Sequence, residues 1–174
     1  MPSLLRPKSR GNIKLTSKDP FVPPIIQPNY YSHPQDVEIM KAGLKWSLKM
    51  AQTDYFKKNS LQVMVAKFGC GDSAPFSDDY LECLLKNWSL TVYHPVGTCK
   101  MGPRSDPSAV VDAELKVHGV KNLRVIDAST MPTIVGGNTN AATIMIGEKG
   151  SGLIIEQWRK KTEEHTTTTH RSEL

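Results

Sequence analysis

The chain has 174 residues, with 22 basic against 17 acidic side chains and a formal net charge of +5. Hydrophobic residues make up 39 % of it and aromatics 7 %, enough for a modest core, while 12 prolines and 12 glycines imply many turns. No stretch reaches the roughly 18 apolar residues of a spanning helix. The basic residues are scattered rather than gathered into the patch that nucleic-acid binding uses, so neither a transmembrane segment nor a nucleic-acid partner is expected.

In chain order, residues 1–31 read as extended structure broken by turns. SRGNIKLTS sets apolar Ile13 and Leu15 between polar neighbours, as one face of a sheet would. The following DPFVPP stops regular pairing, because proline lacks the ladder N–H. The opening segment, MPSLLRPKSRG, lacks the apolar core of a secretory signal. A helix is expected next, with Ser32 as N-cap, Pro34 in its first turn and Gln35 three residues after the cap. Val37, Met40, Leu44, Leu48 and Ala51 recur at spacings of three and four, an apolar stripe that packs into a core.

LQVMVAKF reads as a strand, and it runs into GCGDSAPFSDD. Gly69, Gly71 and Ala74 match the GxGxxA dinucleotide pattern, but that pattern requires a helix starting at the second glycine. Pro75 and Ser77 place the helix start later, so this segment is a loop. The second helix carries Tyr80, Leu81, Leu84, Leu85 and Trp88 on one face, with Asp78 and Asp79 at its positive N-terminal end. Three cysteines, Cys70, Cys83 and Cys99, contain no CxxC, so a zinc cage is not expected. The Cys70 to Cys83 spacing suits a disulfide and two free thiols equally well. Asn87-Trp88-Ser89 is a formal glycosylation sequon on the second helix.

From Ser89 the texture changes. AVVDAELKVHGVKNLRVIDAST suggests two or three short strands, with LRVID a buried one, and AATIMIGEKGSGLIIEQWRKK reads as a final helix. After Lys161 the sequence is polar almost to its end and is expected to be disordered. The fold class is α+β.

Two constellations could carry chemistry. His94 lies in YHPVGT, where proline and glycine make a turned, rigid backbone, and an imidazole is the side chain best suited to proton transfer near neutral pH. Its only metal-binding companion, Cys99, lacks further ligands, so no metal is expected. GGNTNAAT combines two glycines with Asn138 and the free N–H groups of a helix start. Read without further context, it is a glycine turn with an asparagine cap.

Taken together, YHPVGTCKMG, the run from VVD through VHGV and NLRVIDAST to MP, and GGNTNAATIMIGEKG resemble the C-terminal signature of the glucose–methanol–choline (GMC) oxidoreductases. The likeness is greatest to the insect glucose-dehydrogenase-like branch, which LLRPKSRGNIKLTSKDPFVPPIIQPNYYSHPQDVE also resembles, so it covers roughly residues 3–160. The resemblance implies FAD as cofactor and oxidation of an alcohol or sugar CH–OH group by hydride transfer to the flavin. It implies that His94 is the catalytic base and Asn138 its partner. FAD contacts carry over to Asp127 and Ala128 and to the backbone of Thr139 and Asn140, with Tyr93 a further contact. Residues 1–105 would supply substrate-domain structure, 106–160 would return to complete the FAD domain, and 161–174 would be the tail. The electron acceptor would be oxygen or a quinone. The GxGxxG unit that grips the pyrophosphate in this family does not occur here, so the chain alone is expected to bind FAD poorly, and a non-catalytic truncated form is the rival reading. Location stays open, with secretion following if a signal peptide precedes this region.

Overall fold

The computed structural model describes residues 2–65 and 69–171. They fall into two compact units, divided after residue 92. Helices and a small antiparallel sheet make the chain α+β, as expected.

In the first unit, β1 (Asn12–Lys14) pairs antiparallel with β2 (Ile25–Gln27), with Ile13 opposite Ile26. The partner strand β2 follows directly on the proline-rich turn, which ends one strand and redirects the chain into the next. α1 (Pro34–Met50) is capped by His33, whose Nδ1 accepts from Gln35 N–H at 3.2 Å, and proline opens its first turn. The cap is therefore one residue later than Ser32. Pro34 forces the residue before it into extended backbone, which is the conformation a cap requires.

A short helix α2 (Asp54–Lys58) follows, and then α3 (Asp78–Trp88), capped by the Ser77 hydroxyl as expected. α1 and α3 pack together through Val37, Met40 and Leu85, with Leu4, Tyr31 and Leu44 around them. Beside this seam Lys41 reaches Glu38 at 2.8 Å and Asp78 and Glu82 at 3.8 Å, while Lys45 pairs with Asp78. A second cluster gathers Cys70, Tyr80 and Leu81, with Phe76 edge-on to the Tyr80 ring. Cys70 and Cys83 are joined in a disulfide, which settles the choice that spacing left open and fixes the 70–77 loop to α3.

LQVMVAKF differs from expectation. Residues 61–65 have no regular structure, and 66–68 lie outside the described residues. Leu61, Val63, Met64 and Val65 are exposed. A strand needs a neighbour to take its N–H and C=O groups, and none of the described residues provides one here.

The second unit is built around α4 (Asn140–Arg171) and a 3₁₀ turn at Ala128–Thr130. Its core holds Leu115, Met131 and Ile146, with Val96, Met101, Ile126 and Leu153 packed against them. The short strands expected between 109 and 127, LRVID included, are not formed. They are reduced to isolated bridges, Met101 to Val111, Val111 to Val117 and Lys116 to Arg124. Periodicity detects apolar alternation, but a ladder needs several consecutive paired residues, and tight turns interrupt this chain before any second pair forms. The ring of His118 is absorbed structurally, bonded to the Gly102 carbonyl at 3.1 Å. α4 continues past Lys161 to Arg171, beyond where the sequence places the start of a disordered tail. The Thr162 hydroxyl, bonded to the Trp158 carbonyl, extends its bonding there, and each further residue adds one backbone bond to a helix already nucleated.

Candidate active site

The second unit brings His94 and the GGNTNAAT segment together. The segment after His94 is held by the 3₁₀ turn, because Cys99 N–H donates to Ser129 C=O at 3.0 Å and Met101 N–H to Thr130 C=O at 2.9 Å. Gly97 adopts φ +89°, a left-handed conformation that favours glycine, and a Cβ there would press on the Met131 carbonyl at 3.3 Å. The HPVGT turn is thus locked to the residues around Thr130.

The 3₁₀ turn is itself capped by Asp127, whose Oδ1 accepts from Ser129 N–H at 2.7 Å and from its hydroxyl. Thr130 closes the turn by donating its hydroxyl to Asp127 C=O at 2.9 Å, and it is buried. Asp127 remains exposed and Ala128 half-buried. The helix behind them is α4, and Gly150 on it sits where an added Cβ would fall 2.4 Å from Ile126 Cγ2. Glycine therefore lets α4 lie directly against the segment that ends in Asp127.

His94 is half-buried, and its Nδ1 lies 2.9 Å from the Thr139 hydroxyl. Thr139 is buried and serves as the start of α4: its carbonyl accepts from Thr143 N–H at 2.9 Å and from the Thr143 hydroxyl at 2.8 Å. Among the described residues His94 Nε2 has no partner, and the N–H groups of Asn140, Ala141 and Ala142 have no acceptor. Asn138 and Asn140, on either side of Thr139, are exposed, as is Tyr93, in the left-handed region at φ +60°. The unit thus presents one imidazole nitrogen, amide side chains and the unbonded N–H groups of a long helix. The helix and amide N–H groups among these suit an electron-rich ring edge, such as the pyrimidine side of a flavin.

The residue that sequence reasoning valued too little is the side chain of Thr139. It was expected to contribute through its backbone alone. A threonine next to a glycine turn gives no local signal of a bond to a histidine 45 positions earlier.

Comparisons with known proteins give the chain that carries this arrangement a family. The family model described as GMC oxidoreductase matches residues 7–147, and the chain belongs to the GMC oxidoreductase family. It is 43 % identical over 174 residues to the glucose dehydrogenase [FAD, quinone] of Drosophila melanogaster, covering 98 % of this chain and 28 % of that protein. It is 43 % identical over 153 residues to the alcohol dehydrogenase [acceptor] of Pseudomonas putida, covering 88 % and 26 %. The solved structure of a fungal aryl-alcohol oxidase superposes with a TM-score of 0.76 at 29 % identity, over 90 % of this chain and 25 % of that one. The chain therefore spans about a quarter of the length of the proteins it matches.

Proposed function

We propose that this chain supplies the substrate-facing part of the active site of an FAD-dependent oxidoreductase acting on the CH–OH group of an alcohol or sugar, with His94 as the base. The observation that carries this reading is the half-buried His94, anchored through Nδ1 with Nε2 unpartnered, in a chain that belongs to the GMC family. Bound FAD would supply the hydride acceptor. His94 Nε2 would take the hydroxyl proton, which eases departure of the hydride from the same carbon. Asn138 has an amide that does not titrate, so its part is to orient the alcohol oxygen. Tyr93, Asp127, Ala128 and the backbone of Thr139 and Asn140 would line the flavin, and all but Ala128 and Thr139 are exposed in this chain. Residues 1–105 would belong to the substrate domain and 106–160 to the FAD domain. The acceptor that reoxidises the flavin would be a quinone or oxygen.

The Cys70–Cys83 disulfide supports residence in an oxidising compartment, where such bonds persist. Asn87 of the sequon stands exposed in the last turn of α3.

The test is His94→Ala in the FAD-loaded protein that contains this chain. A fall in kcat on the order of 10²-fold or more, with KM little changed, is expected from removal of a general base. Wild-type kcat in that variant would overturn the assignment.

A further inference from the structure

We infer that Thr139 is a positioning residue that holds His94 as the Nδ1–H tautomer, leaving the lone pair on Nε2. The inference rests on the function proposed above and concerns a side chain to which that reading gives no role.

Two geometric facts place the hydroxyl. Thr139 Oγ1 and His94 Nδ1 are 2.9 Å apart, and Thr139 is only 8 % exposed, so water competes poorly for this bond. The threonine backbone is pinned from the other side, since its carbonyl takes both the N–H and the hydroxyl of Thr143. A β-branched side chain adds stiffness at χ1. The oxygen opposite Nδ1 is therefore a fixed point.

A hydroxyl can donate or accept, so the distance alone fits two tautomers. If the hydroxyl donates, Nδ1 is the acceptor and the ring proton sits on Nε2, where it would block uptake of a second proton. If Nδ1–H donates, Nε2 carries the lone pair. Only the second arrangement suits a base whose Nε2 has no partner among the described residues. It also needs no rearrangement when Nε2 is protonated, because Nδ1 remains a donor in the imidazolium and Oγ1 remains its acceptor. Control of one ring nitrogen by the bond made at the other is a general property of histidine sites.

Nitrogen-15 correlation spectra of the neutral imidazoles, recorded on the 174-residue chain at about pH 8, read the tautomer without flavin or turnover. His94→Gln identifies the His94 signals among the five histidines. In the wild type and in Thr139→Ser, Nδ1 is expected to be protonated and Nε2 not. In Thr139→Val the ring is expected to become a mixture of tautomers. A wild-type His94 protonated on Nε2 overturns the inference, and so does a Thr139→Val spectrum identical to wild type. If Thr139→Val fails to fold, the wild-type tautomer alone decides. In the FAD-loaded protein, Thr139→Val is expected to lower kcat on the order of tenfold to a hundredfold with little change in KM, and Thr139→Ser to restore it. If His94→Ala keeps full activity while the Nδ1–H tautomer is observed, the proposed base fails and the Thr139 bond stands. The reverse pair of results separates them equally well.

Discussion

Asp36 shows how much a single side chain can organise. It is fully buried and accepts from Lys8 N–H at 2.9 Å, from Ser9 N–H at 2.8 Å and from the Ser9 hydroxyl at 2.6 Å, tying the N-terminal segment to the first turn of α1. Burial raises its pKa, but those three hydrogen bonds and the nearby His33 together outweigh that effect and hold it below the ordinary value. A lowered pKa in the folded state means the stabilisation is present in full above about pH 4, the unfolded carboxylate value, and is lost as pH falls below it. Asp36→Asn turns an acceptor toward these donors into an amide with its own N–H groups, and the expected cost is about 1–3 kcal/mol. Urea unfolding at neutral and acid pH checks both points: the variant should be less stable at neutral pH, and the gap to wild type should narrow in acid. At this scale much was legible in sequence, since His94 and Asn138 are marked by the motifs around them. Asp36 and Thr139 were not, because the partners of both lie 27 or more positions away.

The elements carry two further expectations. α4 runs against Ile126 with only a glycine between them, so Gly150→Ala forces a methyl into occupied space. Overpacking of this kind costs about 1–3 kcal/mol, and the loss should appear in chemical denaturation of the chain. α3 is tied to the preceding loop by the Cys70–Cys83 disulfide across 13 positions. Closing a loop of that size limits the unfolded chain and contributes about 3 kcal/mol. Thiol titration of the denatured chain should find one reactive cysteine, Cys99, before reduction and three after it. The double variant Cys70→Ser with Cys83→Ser should lower the midpoint of unfolding. Three titratable thiols without reductant would remove the support for an oxidising compartment. The helices were readable in sequence because their stripes and caps are local: α3 begins after Ser77 as its sequence indicates. The described part of the strand expected at 61–68, residues 61–65, and the strand expected at 123–127 did not form, because strand formation depends on a partner that local patterning cannot name.

For the whole molecule, the test is an absorbance spectrum of the purified chain after incubation with FAD and desalting. A colourless protein is expected, since the grip on the pyrophosphate normally comes from a glycine-rich strand–turn–helix unit that this chain does not contain. A retained flavin band would mean that the exposed asparagines and the start of α4 suffice to hold the cofactor. Among the described residues no helix is long and apolar enough to cross a membrane. The family, the α+β class and the identity of His94 and Asn138 as candidates were determined by sequence alone, because ordered motifs persist where backbone and cofactor constrain them. The tertiary structure decided the rest: the disulfide, the buried Asp36 anchor, the collapse of expected strands into single bridges, and the Thr139 hydroxyl on His94. Each of these depends on which residues meet across the chain, and periodicity, which reports only neighbours, carries no record of such meetings.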